Sequence, residues 1–217
     1  MTTTARANPY SPATTPLPPI VVTGRLDRLR AAFDEHEIDA LIVTTLPNVR
    51  YLAGFTGSAA VLVVTRDLSV LTTDGRYRTQ SAEQLERAGA PEVEISIGSG
   101  TQQRDAARAA LEGAKGARIG LEAGNITWSG QRGWADVLSG DKLVPTANAV
   151  EALRERKDAA ELARMERAAA IADAALFEVL PLMSQGVTEE HFALELDTAM
   201  RRGGAEGTAF ETIVAAG

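Results

Sequence analysis

The sequence contains no cysteine, which excludes disulfides and thiolate metal sites and fits a reducing compartment, so a cytoplasmic location is expected. It has only two histidines, His36 and His191. His36 has no second His, Cys or carboxylate at ligand spacing and reads as a surface or capping residue. His191 follows Glu189 and Glu190, but Glu-Glu-His is not the H-E-x-x-H pattern, so it reads as polar surface near a helix start. Positive charge is also short: 22 Lys and Arg stand against 29 Asp and Glu, a net charge of −7. That balance argues against nucleic acid or an anionic membrane surface as a partner. No apolar run approaches the ~20 residues of a membrane-spanning helix. The Thr- and Pro-rich start lacks the continuous apolar core of a secretory signal.

Several catalytic signatures are missing as well. Gly98-Ser99-Gly100 is followed by Gln103 where a dinucleotide-binding loop needs glycine, and no Gly-Lys-Ser/Thr is present for a phosphate loop. It reads instead as a strand-to-helix turn. Ser58 is not in a G-x-S-x-G elbow, because residue 56 is Thr. Glu189 and Glu190 are adjacent on a helix and diverge. No residue is assigned as a catalytic group or a metal ligand.

What is present is organised around residues 38–80. Ile38 to Thr45 is an apolar, β-branched run and reads as a buried strand. Ala59 to Thr65 and Leu68 to Thr73 are two more, separated by Arg66 and Asp67, which suggests a hairpin. The stretch Asn48 to Ser58 between the first two strands reads as a loop whose glycines allow positive φ or close backbone approach. Asp74-Gly75 marks a turn, and Arg76-Tyr77 open a helix expected to reach Ala88.

Upstream, residues 1–22 read as a disordered Thr/Pro-rich arm, with a short docking strand at Ile20 to Val22 as the alternative. Leu26, Leu29 and Phe33 form the apolar stripe of a first helix starting at Thr23 or Gly24. Downstream come a strand at Val93 to Ile97, a helix from Gln102 to Leu111, and a strand at Arg118 to Glu122. A helix over Thr127 to Leu138 follows, with Trp128 and Trp134 as core or interface aromatics. Leu143 to Pro145 reads as an edge strand. Residues 23–150 thus form one α/β domain, a mixed sheet flanked by helices.

The last part differs in character. From Glu151 onward there are 7 Lys/Arg against 13 Asp/Glu. A connector at Ala147 to Lys157 leads to a helix capped by Asp158 and Glu161. Its apolar seam is Leu162, Met165, Ala169, Ala172, Leu176, Val179 and Met183. Pro181 and Gly186 end it. A second helix starts at Thr188, buries Phe192, Leu196, Ala199 and Met200, and stops at Gly203-Gly204. Ala209 to Gly217 reads as a strand.

Asn48-Val-Arg-Tyr-Leu-Ala-Gly-Phe-Thr-Gly-Ser58, followed by Leu71-Thr-Thr-Asp-Gly-Arg-Tyr77, resembles the amino-terminal domain of the creatinase, prolidase and aminopeptidase P family. Residues 151–217, with an Arg/Lys-containing connector, two helices and a strand, resemble the opening of that family's pita-bread metallopeptidase domain. The resemblance covers about residues 24–217. It implies hydrolysis of the bond before proline in a peptide substrate, by two divalent metals (Mn, Co or Zn) that activate a water, in a homodimer. The family's ligands are two Asp, one His and two Glu, and all lie further along than this strand, so the 217 residues are expected to be inactive alone, the amino-terminal portion of such a peptidase. A non-catalytic domain serving dimerisation or partner binding is the alternative. The resemblance further implies that Arg50, Tyr51 and Phe55 lie near a neighbouring subunit's active-site mouth and cap its substrate. Read by themselves, Tyr51 and Phe55 are core and Arg50 a surface charge, and Arg76 and Tyr77 are structural. The two late helices are expected to expose apolar seams and to pack poorly without a covering partner.

Overall fold

The computed structural model of the chain describes residues 15–114, 117–138 and 142–216. The chain divides into two compact units: Pro19–Arg156, and Lys157–Gly217 with residues 15–18. The first 14 positions of the expected arm lie outside the described residues.

The first unit is a six-stranded sheet. In chain order its elements are α1 (Arg25–Ala31), β1 (Ala40–Val43), α2 (Leu46–Ala53), β2 (Ala60–Thr65), β3 (Ser69–Thr73), α3 (Arg78–Ala88), β4 (Val93–Ile97) and α4 (Thr101–Ala110). Then come β5 (Arg118–Glu122), α5 (Trp128–Val137), β6 (Lys142–Thr146) and the short α6 (Glu151–Glu155). Strand order is β4-β3-β2-β1-β5-β6. β2 pairs antiparallel with β1 and with β3, whereas β1–β5, β3–β4 and β5–β6 are parallel. The sheet is mixed, as the alternation of strands and helices around one hairpin requires.

The central strands read as continuous apolar runs because both faces are covered. Leu41 and Val43 of β1, with Leu62 and Val64 of β2, share one core with Leu26, Leu29 and Phe33, Val49 and Leu52 of α2, and Leu85 of α3. The alternate residues Ala40, Ile42 and Val63 face a second core with Ala107 and Leu111, Trp134 and Leu138. The strand period of two sends successive side chains to opposite helical layers. Pro145 sits on β6, an edge strand, where its missing N–H costs the sheet no ladder bond. Ahead of α1, Val22 is buried and its N–H donates to the Ala88 carbonyl at 2.8 Å.

Asn48 to Ser58 is not the loop expected from its glycines. Its first half belongs to α2. Pro47 stands in the first turn, where its missing N–H is harmless. Val49, Leu52 and Ala53 fall on one face and are buried. Gly54, at φ 74°, ends the helix in the left-handed region.

The second unit is a helix pair, α7 (Ala159–Val179) and α8 (Glu189–Arg202), joined by a 3-10 segment at Leu180–Gln185. α7 opens on the expected capping box: Asp158 accepts from the Glu161 N–H at 2.9 Å, and Glu161 accepts from the Asp158 N–H at 3.0 Å. Arg164 donates to the Pro18 carbonyl and Arg167 to that of Thr15, so residues 15–18 lie along α7. The core here is Ala175 and Val179 against Phe192 and Ala199. Of the expected seam, Val179 is buried, while Leu162, Met165, Leu176 and Met183 are 42–67% exposed. The face that packs is instead Ile171, Ala175 and Val179, a spacing of four. Residues 211–216 form no strand, with Phe210 and Ile213 exposed. A strand needs a ladder partner, and among the described residues nothing pairs with this segment. By length and composition alone, Ala159–Gln185 is apolar enough to cross a membrane, contrary to the expectation from apolar runs; alanine supplies much of that hydropathy.

Candidate functional site

The two motifs that stand out in the sequence meet in space. Gly57 lies against the Phe55 ring so closely that a Cβ there would sit 2.2 Å from it. Phe55 packs edge-on against Tyr77, with ring centroids 5.5 Å apart. The Tyr77 hydroxyl lies 2.6 Å from Ser58 Oγ and accepts the Ser58 N–H at 3.1 Å. Thr56 is held by Gln84, which accepts its N–H at 2.9 Å and donates to its hydroxyl at 2.8 Å. On the other side of Tyr77, Arg76 lies over the ring at 5.1 Å and donates to both oxygens of Asp74. Asp74 also accepts the Arg76 N–H, which caps the turn leading into α3. Hydrogen bonding to Ser58 holds the Tyr77 phenol below its usual range, and the Arg76 guanidinium holds Asp74 below the usual carboxylate range.

These contacts tie the two motifs to each other. Ser58 is paired with a phenol and not with an imidazole. Arg50, Tyr51 and Phe55 do not gather into one exposed site. Arg50 is exposed on α2. Tyr51 is 7% exposed, stacked on Arg25 at 4.1 Å, with its hydroxyl donating to the Leu153 carbonyl at 3.2 Å. Phe55 is 1% exposed. Tyr51 and Phe55 are therefore core side chains within this chain, because their apolar rings fill the space between α2 and its neighbours.

A second cluster lies at the carboxyl end of β5. The Glu122 carboxylate accepts the backbone N–H groups of Thr44 and Thr45 at 2.6 and 2.8 Å, and both their hydroxyls. Its other oxygen accepts from Asn48 Nδ2 at 2.7 Å. The same amide donates to Glu151 at 2.7 Å, while Asn48 Oδ1 accepts from Arg154 at 2.8 Å. Asn48 is fully buried and Glu122 nearly so. Sequence reasoning missed this cluster, since its bonded pairs are 74 to 106 positions apart and share no spacing. The only local signal was an acidic residue ending an apolar strand.

Trp134 is buried, as expected, but Trp128 is 77% exposed. It stands at an open cavity of about 430 Å³ lined by Leu121, Ile126, Leu143 and Pro145. His36 and His191 lie in different units. Among the described residues no three His, Asp or Glu side chains converge on a point that could hold a metal.

Residues 25–156 match the family described as Creatinase/Prolidase N-terminal domain, and residues 163–217 match Metallopeptidase family M24. An uncharacterized peptidase, YqhT, of Bacillus subtilis is 37% identical over 193 residues, which is 89% of this chain and 53% of that protein. The structure of an Xaa-Pro dipeptidase from Bacillus anthracis superposes with a TM-score of 0.79 at 32% identity, covering 87% of this chain and 51% of the other. The N-terminal domain of the cytoplasmic peptidase PepQ from Mycobacterium tuberculosis H37Rv is 39% identical, with a TM-score of 0.53, over 60% of this chain and 98% of that domain. The chain thus spans about half the length of the first two relatives.

Proposed function

Because the chain belongs to the creatinase/prolidase family, with an M24 metallopeptidase match behind its first domain, we propose that it supplies the amino-terminal domain and opening helices of a metal-dependent peptidase. That peptidase cleaves the bond before proline in Xaa-Pro peptides. The observation that carries the reading is the order of the two family matches along one chain, together with 32% identity to an Xaa-Pro dipeptidase over 87% of its residues.

M24 membership implies divalent metal ions, with Mn, Co and Zn as the candidates. The described residues do not provide a ligand set for them. The contribution of these residues is instead structural and positional. The Phe55–Tyr77–Ser58 lock and the Asp74–Arg76 pair make one rigid surface, and Arg50 is the exposed member of the three expected substrate contacts. In a homodimer Arg50 would be available to a peptide carboxylate of the neighbouring subunit, to which its guanidinium fork is suited.

The test is to express the gene with its native coding region and measure cleavage of Xaa-Pro and Xaa-Ala peptides with and without Mn. Release of the residue before proline, lost on chelation and restored by Mn, is expected. Absence of Xaa-Pro cleavage with Mn, Co and Zn alike overturns the reading. If it holds, Arg50→Ala raises KM for the peptide and leaves thermal stability unchanged.

A further inference from the structure

The connector after β6 contains one short helix, α6, of five residues. A helix of that length does not hold itself together, because nucleation costs more than its few hydrogen bonds return. Something outside it must fix it. Ala149 and Val150, just before it, are buried, and Leu153 packs on the α2 side of the sheet. These contacts place the segment and turn its apolar face inward, but they give its polar groups no partner.

The polar contacts do. One amide side chain, Asn48, reaches two residues three apart on the short helix: its Nδ2 donates to Glu151 and its Oδ1 accepts from Arg154. Tyr51, one turn along α2, donates to the Leu153 carbonyl, which the five-residue helix leaves without an internal donor. Asn48 is itself fixed by Glu122, whose carboxylate binds the turn into α2. An asparagine suits the position because it offers a donor and an acceptor at once. Asp and Leu of similar size offer one or neither.

We infer that Asn48 is the latch that fixes the connector helix to the sheet, so that the chain leaves this unit at one place, Arg156. There the backbone turns extended, at φ −95° and ψ 105°. Residues 149–155 therefore belong mechanically to the sheet domain, and they are not a flexible linker. The inference concerns folding units and does not rest on the peptidase reading.

The test is amide exchange on the 217-residue chain, read over residues 149–156. The N–H groups of Ala152 and Arg154 bond to Asn148 and Val150, so they report on the helix directly. Asn48→Ala is expected to speed exchange there by about tenfold, the effect of losing about one hydrogen bond's worth of local stability. Arg154→Ala, which alters only the connector side, is expected to do the same while β1 to β3 stay protected. Unchanged exchange over 149–156 in both variants overturns the inference. So does loss of protection across the whole sheet in Asn48→Ala with no effect of Arg154→Ala, since Asn48 would then be a core residue without a latching role.

Discussion

At Gly54 the backbone turns left-handed, φ 74°, and a Cβ there would meet Ala88 Cβ at 2.4 Å. Both demands fall on one residue, one conformational and one steric. Gly54→Ala is expected to destabilise the sheet unit by about 2–4 kcal/mol, the sum of the left-handed penalty and overpacking, read as a lower urea midpoint. At Asp39 the consequence is a pH dependence. The Arg118 guanidinium and backbone N–H both donate to Asp39, at 2.9–3.3 Å, and hold its carboxyl below the usual range. A carboxylate with a depressed folded pKa adds stability that is complete above its unfolded value, 3.8 here, and is lost as pH falls through the folded value. Urea midpoints should therefore fall on acidification below about pH 4. Asp39→Asn should remove part of that fall and leave the neutral-pH slope flat. A variant that tracks the native pH profile would assign the acid limb to other carboxylates.

Helix α2 shows how an element can be written partly in its own residues and partly elsewhere. Pro47, the apolar positions 49, 52 and 53, and Gly54 are helix signals, yet eight residues alone are too few for a stable helix. The turn into it is secured by Glu122, which comes from β5. Glu122→Gln replaces one acceptor oxygen with an NH2 that faces donors. It is expected to cost about 1–3 kcal/mol, seen as a lower unfolding temperature, with the loss of order centred on Thr44 to Asn48. In α7 the sequence offers two stripes. The 3-4 alternation through Leu162, Met165 and Leu176 is the more regular, but α8 packs on Ile171, Ala175 and Val179. Gly203 allows that approach, since a Cβ there would already stand 3.2 Å from Ile171.

On the scale of the whole molecule the two units are unequally supported. The sheet unit has a core on each face. The helix pair rests on Ala175, Val179, Phe192 and Ala199, with Leu162, Met165 and Met183 about half exposed or more. Local stability follows buried apolar contact. Amides of α7 and α8 are expected to exchange faster than those of β1 to β3, and strong protection throughout 158–216 in a monomer would contradict this. Outside α2, read as a loop, and residues 211–216, read as a strand, element types and their order were legible in the sequence because caps, turn residues and apolar periods act within a few positions: Asp158 with Glu161, the hairpin at Arg66-Asp67, and the glycine stops at 186 and 203–204 are all present. Tertiary structure alone decided which apolar stripe of α7 is covered and that Asn48 joins Glu122 to the connector. Those choices depend on partners outside the local repeat, 13 positions away for Val179 and Phe192 and 74 to 106 for Asn48, and no local period in the chain records which distant groups will meet.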